Sequence, residues 1–244
     1  MALDPKVKNL IRFVVVNFGG AIALLVAGIK ITGVTNPFTI IGFIGAAVGA
    51  WRLCLHVYRR LILPPKDPLA YGKWAIVTGS TSGIGKEFAE YLAKKGMSLL
   101  IISRSEDKLK AQQVELSAIS DGKNKVRYLA YDFTRMDSAK DTFYASLDAE
   151  CQLMHADGGL GLLINNVGTA NEIPMRLEEF SDKEIEDMIN CNVFSTVWMT
   201  RTVTKYMRER KNGAVVSISS GSGNHVGPFL VVYSATKCVL LLCL

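Results

Sequence analysis

Tyr233 and Lys237 stand four residues apart, and on a helix residues i and i+4 share one face about 5–6 Å apart. A phenol ordinarily titrates near 10 and is a poor proton donor at neutral pH. A neighbouring ammonium favours its ionised form and makes it a usable acid–base group. Ser220 lies thirteen positions before Tyr233, at the end of Ser217-Ile218-Ser219-Ser220. Taken alone, a Tyr-x-x-x-Lys spacing is equally that of a solvated surface pair, so the remaining motifs decide its meaning.

The second constellation is Thr78-Gly79-Ser80-Thr81-Ser82-Gly83-Ile84-Gly85, placed between an apolar strand and the amphipathic stretch 86–95. Glycines there let the backbone turn tightly and approach a pyrophosphate, which rests on helix N-terminal amides. A glycine-rich turn can also be only a turn. Its strand and helix flanks favour dinucleotide binding, through Gly79, Ser80, Ser82, Gly83, Ile84 and Gly85. At the end of the second expected strand, NAD enzymes of this architecture carry an acid for the ribose hydroxyl, whereas a cation accepts the 2′-phosphate of NADP. This chain has Ser103-Arg104-Ser105 and no carboxylate before Glu106. Arg104 therefore favours NADP(H) over NAD, the plainer alternative being a solvated loop charge. Asp132 ends the third strand, where its carboxylate either accepts the adenine amino group or terminates an ordinary turn.

These groups need elements to hold them. Short apolar runs at 74–78, 98–103, 126–132, 161–165 and 214–219 alternate with stretches of helical periodicity, the βαβ rhythm of a parallel doubly wound sheet. Ser181 and Glu184 form a capping box before Ile185, Met188 and Ile189, marking a helix start. The fold class is therefore α/β, a Rossmann-type doubly wound parallel sheet.

Ahead of that rhythm the chain is of another kind. Residues 13–29 and 38–58 are nearly unbroken apolar runs, the second interrupted by Arg52. Spanning a bilayer takes about 20 apolar residues, so the sequence predicts a membrane anchor of one or two helices. Lys6, Lys8 and Arg12 precede the first run, Arg59, Arg60 and Lys66 follow the second, and Lys30 lies between. By the positive-inside rule both ends face the cytosol. The alternatives are a cleaved signal for the first run and, for the second, a segment that lies in the interface or packs on the domain. Pro64, Pro65 and Pro68 read as a stiff linker, dividing an anchor and linker at 1–70 from a catalytic domain at 71–244. The 28 basic against 22 acidic residues form no basic stripe with interleaved aromatics, which argues against nucleic acid as a partner. Five scattered cysteines and three histidines show no metal-ligand spacing and suggest reduced thiols.

Together with Asn165-Asn166-Val167-Gly168 after the fourth strand, these motifs resemble the short-chain dehydrogenase/reductase family, with matches from about Tyr71 to Lys237. The resemblance implies that Asn165 and Gly168 support the sheet beside the cofactor. It further implies that Ser220 orients a carbonyl, Tyr233 exchanges the proton, and Lys237 lowers the tyrosine's pKa and holds the nicotinamide ribose. Asn192, followed by aliphatic Val193, matches the family's fourth catalytic position better than Asn190. It implies a locally distorted helix there, whose carbonyl holds a water linking the lysine to solvent.

A closer similarity is to the microsomal very-long-chain 3-oxoacyl-CoA reductases and related 17β-hydroxysteroid dehydrogenases. It rests on Tyr71-Gly72-x-Trp74-Ala75, Ser103-Arg104-Ser105 with Asp107-Lys108-Leu109, Asn-Asn-Val-Gly, and Ser219-Ser220-Gly221-Ser222-Gly223. It implies an acyl-CoA or steroid substrate, a location in the endoplasmic reticulum membrane with the catalytic domain facing the cytosol, and as partners the lipid bilayer, other fatty acid elongation enzymes and a second copy in a homodimer. Family members continue well beyond Lys237, through a sixth and a seventh strand. The expectation is thus an incomplete sheet ending at strand five, in a chain that is either an active reductase or a catalytically silent membrane-bound fragment.

Overall fold

The computed structural model describes residues 19, 23, 26–27, 37–58, 61, 66–119, 122, 124–135, 137, 139–225 and 227–242, and the chain divides into two compact units, Met1–Pro65 and Lys66–Leu244. The first apolar run, 13–29, lies outside the described residues except at four isolated positions. The second forms helix α1, Pro37–Val57, with Ile41, Ile44 and Leu53 exposed. Among the described residues no helix is long and apolar enough to cross a membrane. Pro68, expected in the linker, instead opens a 3-10 turn of the larger unit, Pro68–Ala70, which Asp67 caps by accepting the Leu69 N–H at 3.1 Å.

The larger unit alternates as its periodicity predicts: β1 Trp74–Thr78, α2 Gly83–Lys94, β2 Ser98–Ser103, α3 Glu106–Ile119, β3 Val126–Ala130, α4 Ala139–Ala156, β4 Leu160–Asn165, α5 Asp182–Ile189, α6 Ser195–Arg210, β5 Ala214–Ser217 and α7 Val231–Leu242. All strand pairs are parallel, in the order β3-β2-β1-β4-β5. The first two strands have the expected bounds. The third is shorter because Asp132 turns the chain, accepting the Thr134 N–H at 3.1 Å and the Thr134 hydroxyl at 2.9 Å. The fifth ends at Ser217, although Ile218 still donates to the Asn165 carbonyl at 2.8 Å, so Ser219 and Ser220 are released from the ladder.

A parallel sheet covered by helices on both faces buries its strands on both sides, and continuous apolar runs result. Every residue of β1, β2 and β4 is buried. Ile76, Leu100, Ile102 and Leu163 face α4 and α6, whereas Val77, Leu99, Ile101 and Ile164 face α2 and α3. Each such side chain contributes about 1.5–3 kcal/mol by leaving water, and the alternation fixes the register that sets the strand ends. At the entrance end of the sheet, Arg210 of α6 donates to the carbonyls of Tyr71 and Leu160. Asp157 receives Lys73 and Lys125, each at 2.8 Å, with the Trp74 indole. Those partners, Lys125 first, hold its carboxyl well below the usual carboxylate range.

The capping box at α5 is present in both directions: Ser181 N–H donates to Glu184 at 2.9 Å, and Glu184 N–H donates to the Ser181 hydroxyl at 3.3 Å. At its other end, α5 passes into one turn of π-helix, Asn190–Phe194, before α6. The local distortion expected around Asn192 is therefore real.

Candidate active site

The strand order reverses direction between β1 and β4, and in open α/β sheets a crevice for ligands opens at such a point beyond the strands' carboxyl ends. Here it holds two adjoining grooves of about 380 Å³ each. One is lined by Gly79, Thr81, Ser82, Ser103, Arg104, Lys108 and Asp132, the other by Ile84, Ser220, Tyr233 and Lys237. Asn166, Gly168 and Thr169 line both.

The turn from β1 to α2 needs its glycines for separate reasons. Gly79 has φ +63°, and a Cβ there would lie 2.9 Å from the Asn166 amide nitrogen. Gly83 has φ +55° and nothing within 4 Å of its Cβ position, so it opens onto free space at the start of α2. Gly85 is packed under the turn, where a Cβ would strike the Gly79 carbonyl. Ser82 precedes the helix without a side-chain cap bond and lines the groove. Ser80, expected among the cofactor-binding residues, is fully buried and absent from the groove lining, with its side chain turned into α3, where its hydroxyl donates to Gln112 at 2.9 Å.

Beyond β2, Arg104 is exposed on the groove wall, and Lys108, one turn into α3, joins it. Glu106 is engaged elsewhere. It pairs with Lys110 at 3.0 Å, which with the Tyr128 hydroxyl holds its carboxyl below the usual range. The Thr81 and Ser103 hydroxyls meet at 2.9 Å, tying the glycine turn to this wall. Asp132 lines the same groove, with one carboxylate oxygen committed to Thr134.

Of the two asparagines after β4, Asn166 lines both grooves and Asn165 does not. Asn165, expected beside the cofactor, still belongs to the strand. It is buried and donates to Thr200 at 2.9 Å and Ser217 at 3.3 Å, joining β4 to α6 and β5. Asn166 is the first residue clear of the sheet. Its amide donates to the carbonyls of Thr78 at 3.0 Å and Gly79 at 3.1 Å, so it fastens the glycine turn. Gly168 passes so close to the π-turn and α7 that a Cβ would lie 3.1 Å from both Asn192 Oδ1 and Lys237 Nζ.

Asn192 is fully buried and works through its side chain. It accepts the Thr169 N–H at 2.7 Å, donates to the Thr169 carbonyl at 2.8 Å, and donates to Thr236 Oγ1 at 2.9 Å. Its backbone carbonyl accepts the Thr196 hydroxyl at 3.2 Å. Asn190 instead donates to the Thr134 carbonyl. Neighbouring Cys191 lines the groove, and burial pushes its thiol up to about 11, well outside nucleophilic use at neutral pH.

Ser220 accepts the Ser222 N–H at 3.2 Å, which leaves its own proton free to donate into the groove. Tyr233 packs against the buried cluster of Phe180, Met188 and Val232. Lys237 is buried, lies 5.7 Å from the Tyr233 ring centre, and donates to the Ile218 carbonyl at 3.1 Å. Burial lowers its pKa. Ser219 donates to the Lys237 carbonyl at 2.8 Å, so the residue before the reactive serine anchors α7. Ser220, Tyr233 and Lys237 thus come together on one groove wall, as their spacing predicted.

The family described as short chain dehydrogenase matches residues 73–241. A human very-long-chain 3-oxoacyl-CoA reductase is 44% identical over 170 residues, 68% of this chain and 50% of that protein. A 17-beta-hydroxysteroid dehydrogenase type 3 of Danio rerio is 39% identical over 180 residues, 72% of this chain and 54% of that protein. The chain spans about half the length of these curated relatives. Among solved structures, a short-chain dehydrogenase from Sphingobium yanoikuyae in complex with NADPH superposes with a TM-score of 0.60 and 27% identity, covering 70% of this chain and 62% of that one. L-sorbose reductase from Gluconobacter frateurii, complexed with NADPH and L-sorbose, gives 0.61 and 26%, covering 70% and 61%. With the matched family spanning most of the chain and the glycine turn, serine, tyrosine and lysine converging on one crevice, the chain belongs to the short chain dehydrogenase family.

Proposed function

We propose that this protein reduces a carbonyl group with NADPH, and that its substrate is the 3-oxo group of a long or very-long-chain acyl-CoA. The observation that carries the reading is the sharing of one groove wall by Ser220, Tyr233 and Lys237, continuous through Gly168 and Thr169 with the groove that Arg104 lines. The residues fit a nicotinamide dinucleotide. Gly79 and Gly83 open the turn before α2, whose first amides suit a pyrophosphate, and Arg104 with Lys108 suits a 2′-phosphate.

When bound, the cofactor supplies the hydride. The chain's own residues manage the oxygen that becomes a hydroxyl. Ser220 donates a hydrogen bond to that oxygen as its negative charge grows, and a preorganised donor of this kind is worth about 3–4 kcal/mol. Tyr233 releases its phenolic proton to the oxygen. Lys237 spends one N–H on the Ile218 carbonyl and keeps two for the phenol side of the groove and the ribose.

A 3-oxoacyl-CoA is preferred to a 17-keto steroid on the names of the more similar relatives, the steroid enzyme being the second reading. The same reading gives an anchored protein of the endoplasmic reticulum, its catalytic unit facing the cytosol beside other elongation enzymes. Its supports are the apolar runs at 13–29 and 38–58 with their flanking cations, and the exposed apolar side chains of α1. A substrate screen with NADPH tests the assignment: consumption with long-chain 3-oxoacyl-CoA and little with 17-keto steroids is expected, and the opposite pattern reverses it.

Cofactor choice has its own test. Arg104→Asp replaces attraction for a 2′-phosphate by repulsion and offers an acceptor to a free ribose hydroxyl. The ratio of NADPH to NADH affinity should fall by about tenfold or more. Equal affinities for the two nucleotides in the unsubstituted protein would remove the NADP assignment.

A further inference from the structure

We infer that Gln112, which touches neither groove, is a positioning residue for NADP(H): it holds the phosphate-binding turn in register with the cations that select the 2′-phosphate. The inference rests on the cofactor reading above and extends it to a residue one layer behind the site.

Ser80 and Gln112 are both buried, at 0% and 4% exposure. The Gln112 amide nitrogen donates to the Ser80 carbonyl at 2.6 Å, and the Ser80 hydroxyl donates to Gln112 Oε1 at 2.9 Å. The carbonyl can only accept, so it fixes which way the amide points. A reciprocal pair shielded from water therefore grips the middle of the glycine turn from α3. Nearby ties run to the same side: the Gly79 N–H donates to the Ile102 carbonyl at 2.8 Å, and Thr81 meets Ser103 at 2.9 Å.

The other end of α3 explains what this grip accomplishes. Lys108 lies one helical turn before Gln112, on the same face, and lines the groove with Arg104. Helix α3 is thus a strut with 2′-phosphate cations at its start and a clamp on the pyrophosphate turn four residues later. A nucleotide carrying a 2′-phosphate spans both points and senses the distance between them. A nucleotide without it engages the turn alone.

Removing the clamp should therefore penalise NADPH more than NADH. In the full chain, titrated with each nucleotide and followed by tryptophan fluorescence, Gln112→Leu leaves the Ser80 carbonyl and hydroxyl buried without partners. We expect NADPH affinity to fall about tenfold and NADH affinity by about threefold or less. Ser80→Ala removes the hydroxyl and keeps the amide-to-carbonyl bond, so its loss should be smaller and of the same sense. It also serves if Gln112→Leu does not fold. A merely structural role would lower the melting temperature and leave the NADPH to NADH ratio unmoved, and that result overturns the inference. If the unsubstituted chain binds NADPH while both variants keep its ratio, Gln112 has no part in positioning. If the unsubstituted chain binds neither nucleotide, the cofactor reading itself is wrong and the inference falls with it.

Discussion

Tyr233→Phe should lower carbonyl reduction by about 10²–10⁴-fold while NADPH affinity stays nearly unchanged. The substitution deletes one oxygen and keeps the ring, whose seat on Phe180, Met188 and Val232 is apolar. Among the described residues the phenolic oxygen has no hydrogen-bond partner, so the fold loses no contact with it. What is lost is the proton that the substrate oxygen needs as it becomes a hydroxyl. Ser220 cannot replace it, because a serine hydroxyl that gives up its proton near neutral pH leaves an alkoxide far too basic to persist. Substrate-dependent NADPH consumption and a direct NADPH titration, measured on the same preparation, separate the two effects. Retention of most of the activity by Tyr233→Phe would mean that the proton comes from elsewhere and that the groove wall has been misread.

How far this site was legible in the sequence depended on whether a residue's role is set by its local element or by a partner far along the chain. The glycine turn, the Ser181–Glu184 cap and the Tyr233–Lys237 pair are local devices, and each stands where its spacing puts it. For the asparagine pair after β4, strand parity sets what each side chain reaches. Asn165 is the last residue of β4 and points into the sheet's packing, so Asn166, one position on, reaches the turn. The bounds expected from the sequence, 161–165, already end the strand at Asn165 and leave Asn166 as the first residue beyond it. The placement of the Ser80 side chain has a related cause. In a tight turn successive side chains diverge, and Ser82 faces the groove while Ser80 faces Gln112, a partner 32 residues away that no local pattern announces. Lys108, in the first turn of α3, lines the same groove as Arg104, which precedes the helix.

The fold legible from periodicity also explains why the reactive groups need so many second contacts. Lys237 is held from two segments, 218–219 and the stretch after β4. Ile218 at the end of β5 accepts its ammonium, Ser219 grips its carbonyl, and Gly168 beyond β4 passes beside its side chain. Asn192 joins the β4 loop to α7 through Thr169 and Thr236, and Thr236 donates on to the Tyr233 carbonyl at 2.7 Å. The π-turn at Asn190–Phe194 makes this possible: an extra residue in the turn shifts the side-chain phase, and Asn192 becomes fully buried against that junction.

Lys237→Met should lose reduction by at least about 10²-fold and weaken NADPH binding as well, and its stability should show a pH dependence of definite sign. In the wild type burial lowers the Lys237 pKa, so the folded chain binds that proton less tightly than the unfolded chain, whose lysines titrate near 10.4. Charged Lys237 therefore costs stability at neutral pH. That cost fades as pH rises through the lowered folded value towards about 10.4. Methionine removes the charge and fills a similar volume, which relieves the cost. It also deprives the Ile218 carbonyl of its 3.1 Å donor, a loss of about 1 kcal/mol that does not vary with pH. At neutral pH the two effects oppose each other. As pH rises towards about 10 only the lost hydrogen bond remains, so the variant should fall behind. Denaturant unfolding of both proteins at neutral pH and near pH 10, with no nucleotide added, reads this difference directly. A difference constant over that range would mean that the Lys237 ammonium is not under strain from burial, and that its effect on the tyrosine must be explained without a desolvated charge.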